Sequence, residues 1–225
     1  MSGTSNSDTL TGTAGIDVIE LLAGDDSYRG LGGNDSVMGD EGRDTIDGGD
    51  GDDDLIGGED DDLILGRAGN DSIDPYDGND TMLGGDGDDY IFGYASDLID
   101  GGNGNDTLYG WFSEETILAG PGDDYIDFSD GDASFTYALG TGNDTISVFQ
   151  TSNVTTLHLP AGAWVQGVSG NWTTYSLGGT QLFTKGWDSV VFSGQDKTSI
   201  SATMMIWRRE AISTIPLMGA TAMTP

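Results

Sequence analysis

The sequence predicts an all-β chain in which short parallel strands stack into a solenoid, and three observations carry that reading. A nine-residue frame, G-x-x-G-x-D-x-apolar-x, begins at Gly3 and recurs through about Ser147, with good copies GLGGNDSVM from Gly30, GGDGDDDLI from Gly48, GGDGDDYIF from Gly84 and GGNGNDTLY from Gly101. The eighth position is apolar in all sixteen copies: Leu10, Ile19, Tyr28, Val37, Ile46, Leu55, Ile64, Ile73, Met82, Ile91, Ile99, Leu108, Ile117, Ile126, Phe135 and Ile146. The sixth is Asp in fourteen copies, with Glu115 and Ala133 the exceptions, so a carboxylate and an apolar residue keep a fixed offset of two.

Side chains two apart in an extended segment share a face, whereas positions nine apart on a helix drift steadily around it. Each repeat therefore reads as turn, short strand, turn, with one apolar residue pointing inward. Glycine at positions one and four supplies the positive φ and the close backbone approach of a tight turn. A single copy buries nothing, but two strands facing across a thin core give a coil of eighteen residues that can stack on the next.

Composition agrees with a polar, thin-cored molecule. The 225 residues include 38 Gly and 39 Asp plus Glu against 7 Lys plus Arg, a net charge of −32. Residues 1–147 hold 36 of the acids and only Arg29, Arg43 and Arg67, a local net of −33, which leaves 148–225 at about +1. An acidic block of this kind usually reads as a self-repelling disordered tail, which predicts irregular spacing. The fixed period argues against that. No cluster of Lys and Arg exists to meet phosphates, so a nucleic-acid partner is excluded. Cysteine is absent, which rules out disulfides and thiolate metal sites. The segment Met1-Ser2-Gly3-Thr4-Ser5 lacks the basic and apolar regions of a cleaved export signal, so any export is expected to use another route. No apolar run is long enough for a transmembrane segment.

One apolar residue per nine is a meagre core, so something else must hold the coils. Stacking the turns sets Asp above Asp at about 4.8 Å, which is repulsive unless a cation lies between them. Carboxylates and free turn carbonyls are hard oxygen donors that suit six- to eight-coordinate calcium, whereas zinc prefers His or Cys. The only histidine, His158, lies outside the repeats. Multiple calcium ions are expected, with metal binding and folding as one reaction.

The repeat resembles the RTX, or haemolysin-type, calcium-binding nonapeptide, over about two thirds of the chain. The resemblance implies a right-handed parallel β-roll and type I secretion from a Gram-negative bacterium. It also implies a chain that is unfolded in low-calcium cytosol and folds outside the cell.

Successive loops alternate between the two edges of such a roll, so each ion is expected between loops n and n+2 of one edge. One edge carries Asp17, Asp35, Asp53, Asp71, Asp89, Asp106, Asp124 and Asp144, each with Gly at position four, and has room for up to seven ions. The other carries Asp8, Asp26, Asp44, Asp62, Asp80 and Asp97, then Glu115 and Ala133. On it Asn6, Asp60 and Ser113 replace the fourth-position glycine, Pro75 and Phe128 replace the first, and the Gly93 copy is one residue short. Fewer ions are expected there, mostly in its first half.

The chain divides into the repeats over 3–147, a non-repeat β cap over 148–201 and a tail over 202–225. Alternating stretches at Val154 to Leu159, Trp172 to Leu177 and Gln181 to Phe183 read as strands, with a hairpin turn at Ser169-Gly170-Asn171 and a last strand over Trp187 to Phe192. The tail, with Arg208 and Arg209, reads as a secretion signal or a docking segment. No catalytic constellation is visible: one histidine cannot supply H-E-x-x-H, and no nucleophile motif accompanies His158. The expected function is non-enzymatic: a secreted or surface structural protein, folded by extracellular calcium and self-assembling into a homo-oligomer or polymer. The alternative is a binding module for a polysaccharide or other cell-surface ligand, using the aromatics Tyr90, Phe92, Tyr94, Tyr109, Trp111 and Phe112.

Overall fold

The computed structural model describes residues 2–111, 115–129, 136–139, 141–142, 144–150, 165–169, 172–177, 180–186, 189–191 and 203–205. Its strands, numbered along the chain, alternate between two sheets. One sheet stacks β1 (Thr9–Thr11), β3 (Ser27–Arg29), β5 (Thr45–Asp50), β7 (Leu63–Ala68), β9 (Thr81–Asp86), β11 (Leu98–Asn103), β13 (Thr116–Gly120) and β15 (Thr136–Leu139). The other runs β2 (Val18–Glu20), β4 (Ser36–Glu41), β6 (Asp54–Glu59), β8 (Ser72–Asp77), β10 (Tyr90–Gly93), β12 (Thr107–Gly110), β14 (Tyr125–Ser129) and β16 (Thr145–Gln150). Neighbours within each of these stacks are parallel, as in Ile46 beside Ile64 and Leu55 beside Ile73. This is the all-β parallel roll that the repeat predicts.

The offset of two works as expected. From Ile19 to Ile126 every eighth-position side chain is buried, and so are the sixth-position acids from Asp26 to Asp124. Together they line the interior between the sheets. From β4 to β9 the strands are longer than the repeat suggests, because the ladder continues from position seven to position three of the next copy, as in β5, Thr45–Asp50. The turn proper is left with only three residues.

Two expectations need correction. Positive φ falls at positions two and four, as at Gly49 (107°) and Gly51 (132°), while glycine at position one is needed for close approach instead. A Cβ at Gly30 would collide with the Gly48 carbonyl of the next coil. The turn imposes its conformation even where glycine is missing: Leu22, Leu31, Asp40, Arg67 and Tyr76 at position two and Asp60 at position four all have φ between 67° and 87°. Each carries a penalty of about 1–2 kcal/mol. The second correction concerns Phe135. The ladder sets Tyr137, not Phe135, beside Ile117, because this coil is two residues longer than the usual eighteen: Thr116 pairs with Thr136 where Thr45 pairs with Leu63. Phe135 itself lies outside the described residues.

Beyond the last coil, β19 (Thr180–Gly186) adds to β16 in parallel, followed by antiparallel β18 (Trp172–Leu177) and β17 (Val165–Ser169). These strands carry one sheet past the end of the roll, where an uncovered solenoid would expose its core. Ser169 pairs with Trp172 across antiparallel strands, while Gly170 and Asn171 of the turn read from the sequence lie outside the described residues. The strand read over Trp187 to Phe192 is present as β20 (Ser189–Val191), and it pairs with β21 (Thr203–Met205) from the tail. Val154 to Leu159 and His158 lie outside the described residues. No helix among the described residues is long and apolar enough to cross a membrane.

Candidate metal centre

Each sixth-position Asp stands at the start of a strand, where its two carboxylate oxygens have different surroundings. Oδ1 accepts the backbone N–H of the Asp one coil earlier on the same edge. Asp26 donates to Asp44 Oδ1 (2.8 Å), Asp44 to Asp62 (2.8 Å) and Asp62 to Asp80 (2.7 Å) on one edge. Asp35 donates to Asp53 (2.7 Å), Asp53 to Asp71 (2.8 Å), Asp71 to Asp89 (2.8 Å) and Asp89 to Asp106 (2.9 Å) on the other. Two ladders of charge-assisted bonds therefore run along the roll.

Oδ2 is the informative atom. It is buried and accepts no hydrogen bond in Asp26, Asp44, Asp62 and Asp80 on one edge, and in Asp53, Asp71, Asp89, Asp106 and Asp124 on the other. A buried carboxylate oxygen without a partner costs several kcal/mol, so a run of nine calls for a common cause. Backbone carbonyls lie alongside: a Cβ at Gly66 would meet both Asp71 Oδ2 and the Gly84 carbonyl oxygen of the next coil. No three acidic side chains converge among the described residues, so each site combines stacked carboxylates with carbonyls. That donor set fits a hard, oxygen-preferring cation of high coordination number.

A second acidic ladder supplies a contrast that the repeat frame missed. At position five the exposed side chains alternate along one edge as Asn34, Asp52, Asn70, Asp88, Asn105 and Asp123. Each carbonyl or carboxylate oxygen accepts the N–H of the next coil, at 2.7 to 3.2 Å. Alternation keeps carboxylates two coils apart, about 10 Å, a distance over which salt screens them. The inner ladder puts a carboxylate on every coil and is shielded from water, so it is the one that requires a counter-charge. Comparing position five across copies would have revealed this.

The electrostatics agree. Burial, opposed by the ladder hydrogen bond and reinforced by repulsion from nearby carboxylates, pushes Asp44, Asp53, Asp71 and Asp106 up to about 6. The same causes push Asp62, Asp80, Asp89 and Asp124 up to about 7. Glu115 is fully buried in the same register, where Thr116 N–H donates to the Asp97 carbonyl (2.7 Å). Ala133 lies outside the described residues. Asp8 and Asp17 are only half-buried, and Asp144 is buried at the far end.

A parallel roll whose turns stack unpartnered carboxylates defines a class: repeat proteins that build cation sites from the turns between coils. The chain belongs to the RTX calcium-binding nonapeptide repeat family, whose model matches residues 2–37, 30–64, 38–73, 74–108, 93–126 and 116–132. No curated protein sequence matches it. Calcium binding by a structural repeat is the role that this membership supports.

Proposed function

We propose that this chain is a secreted structural or surface protein of a Gram-negative bacterium, folded by extracellular calcium and self-assembling once folded. The observation that carries the calcium part is the run of buried, unpartnered Oδ2 atoms on successive coils. Calcium supplies the positive charge that lets these carboxylates stack. The ligands would be Asp53, Asp71, Asp89, Asp106 and Asp124 on one edge and Asp26, Asp44, Asp62 and Asp80 on the other, with Asp35 and Asp144 extending the first. Extracellular oxygen-ligand sites bind at about 10⁻⁴–10⁻³ M, which suits a chain that stays unfolded inside the cell and folds on leaving it.

Assembly is tested by light scattering on the full chain during a calcium titration. Particle growth that accompanies folding supports self-assembly; a folded monomer at every calcium concentration counts against it.

One observation favours a second reading as a binding module. Tyr76, Tyr90, Phe92, Tyr94, Tyr109 and Trp111 gather on the outer face of one sheet, with ring centroids 4.9 to 6.4 Å apart. Tyr76 is 53% exposed and Tyr90 40%. Stacked rings flanked by carboxylates such as Asp74 and Asp77 suit a polysaccharide, whose ring faces stack and whose hydroxyls donate. Phe112 lies outside the described residues. Retention of the calcium-loaded monomer on immobilised polysaccharide, lost on Phe92→Ala, would shift the weight to this reading.

A further inference from the structure

We infer that the Asp97 loop has replaced calcium with amides of its own chain, so that the calcium ladder of this edge ends at the Asp80 loop against a metal-free coil. The inference rests on the calcium reading of the other loops. Four residues separate Gly48 from Asp53, but only three separate Gly93 from Asp97. In this shortened loop Tyr94 N–H lies 3.0 Å and Ala95 N–H 3.5 Å from Asp97 Oδ2, the atom left without a partner in Asp62 and Asp80 of the same edge.

The backbone gives the reason. In every loop with an unpartnered Oδ2, the position-two residue is left-handed. In the Asp97 loop that residue is Tyr94, which is not left-handed, and its N–H turns in to the carboxylate. The same arrangement recurs only at the N-terminal end among the described loops. Thr4 donates its N–H (2.7 Å) and hydroxyl (2.8 Å) to Asp8 Oδ2, and Thr13 donates its N–H (2.6 Å) and hydroxyl (3.1 Å) to Asp17 Oδ2. There the caps close the ladders at one end; at Asp97 a cap closes one of them from the other side. Oδ1 of Asp97 still accepts the Asp80 N–H (2.8 Å), so the coil stays in register without the ion. Tyr94 packs against Phe92 and Trp111 with centroids 6.2 and 5.5 Å apart, which adds ring contacts on the outer face of the sheet at this coil.

A gain-of-function variant tests this. Inserting one glycine between Ala95 and Ser96 restores the nine-residue frame as Gly-Tyr-Ala-Gly-Ser-Asp-Leu-Ile-Asp. Calcium bound per full-length chain is measured by equilibrium dialysis with radiolabelled calcium for wild type, the insertion, Asp97→Asn and Asp62→Asn. The insertion is expected to bind at least one more ion than wild type. Asp97→Asn should bind the same number as wild type while losing stability, and Asp62→Asn should bind at least one fewer. An insertion variant that folds but gains no ion overturns the inference, as does loss of calcium from Asp97→Asn to the extent seen in Asp62→Asn. Should the insertion fail to fold, the comparison of the two Asn variants decides alone. An absence of bound calcium in wild type would overturn both the inference and the calcium reading, a result distinct from an unequal effect of the two substitutions.

Discussion

Replacing Asp89 with alanine is expected to cost at least about 3 kcal/mol of folding stability at fixed millimolar calcium, measured by urea unfolding, while Asp88→Ala costs about 1 kcal/mol. The two residues are adjacent and both acidic, yet their surroundings differ. Asp89 Oδ1 is the buried acceptor for Asp71 N–H (2.8 Å), and its Oδ2 is a buried atom without a protein partner. The substitution strands an N–H inside the roll and removes a carboxylate from the gaps on both sides. Asp88 is exposed, and its loss takes away an acceptor that water can replace for the Asn105 N–H. In a transition that takes up several ions together, the same free energy moves the calcium midpoint by only a small factor. Stability at fixed calcium is therefore the sharper measure. Equal effects of the two substitutions would mean that the inner ladder has no special role.

Acid is expected to substitute in part for calcium. With chelator present, the chain at neutral pH should be unfolded, and lowering the pH toward 4 should produce β-structure by far-UV circular dichroism. The sign follows from the inner carboxylates. Their folded-state values are raised to about 6 or 7 from an unfolded value of 3.8, chiefly by burial. Raised acids favour the folded state below the unfolded value and lose that contribution as pH rises through 6 to 7. Protonation also reduces the repulsion of a region with a net charge of −33. With calcium present the competition runs the other way, so apparent affinity should fall as pH drops through the same window. A metal-free chain that stays unfolded at every pH would contradict this.

The parts of this molecule that were legible in the sequence are those that repeat. Sixteen copies of an Asp and an apolar residue at an offset of two define a strand face. The face so defined, Asp71 with Ile73 or Asp106 with Leu108, is the one buried in the structure. What escaped was local. The repeat could not reveal that the two oxygens of one carboxylate divide their roles, with Oδ1 in the ladder and Oδ2 left over. Nor could it place positive φ, because the turn forces Leu31 and Tyr76 into a conformation their identity disfavours. Phe135 was assigned by counting along a stretch whose spacing changes, and the ladder pairs Tyr137 there instead. The short Gly93 copy was visible as a departure, but its consequence depends on where Tyr94 N–H points.

The central claim is that the roll cannot close its turns without a divalent cation at neutral pH. It is tested most directly by far-UV circular dichroism of the full chain in chelator, followed by titration with calcium and, separately, with magnesium. The expected result is a coil spectrum in chelator and a cooperative rise in β-structure near millimolar calcium, with a weaker response to magnesium, which tolerates these flexible oxygen sites poorly. A full β spectrum in chelator at neutral pH would contradict the account.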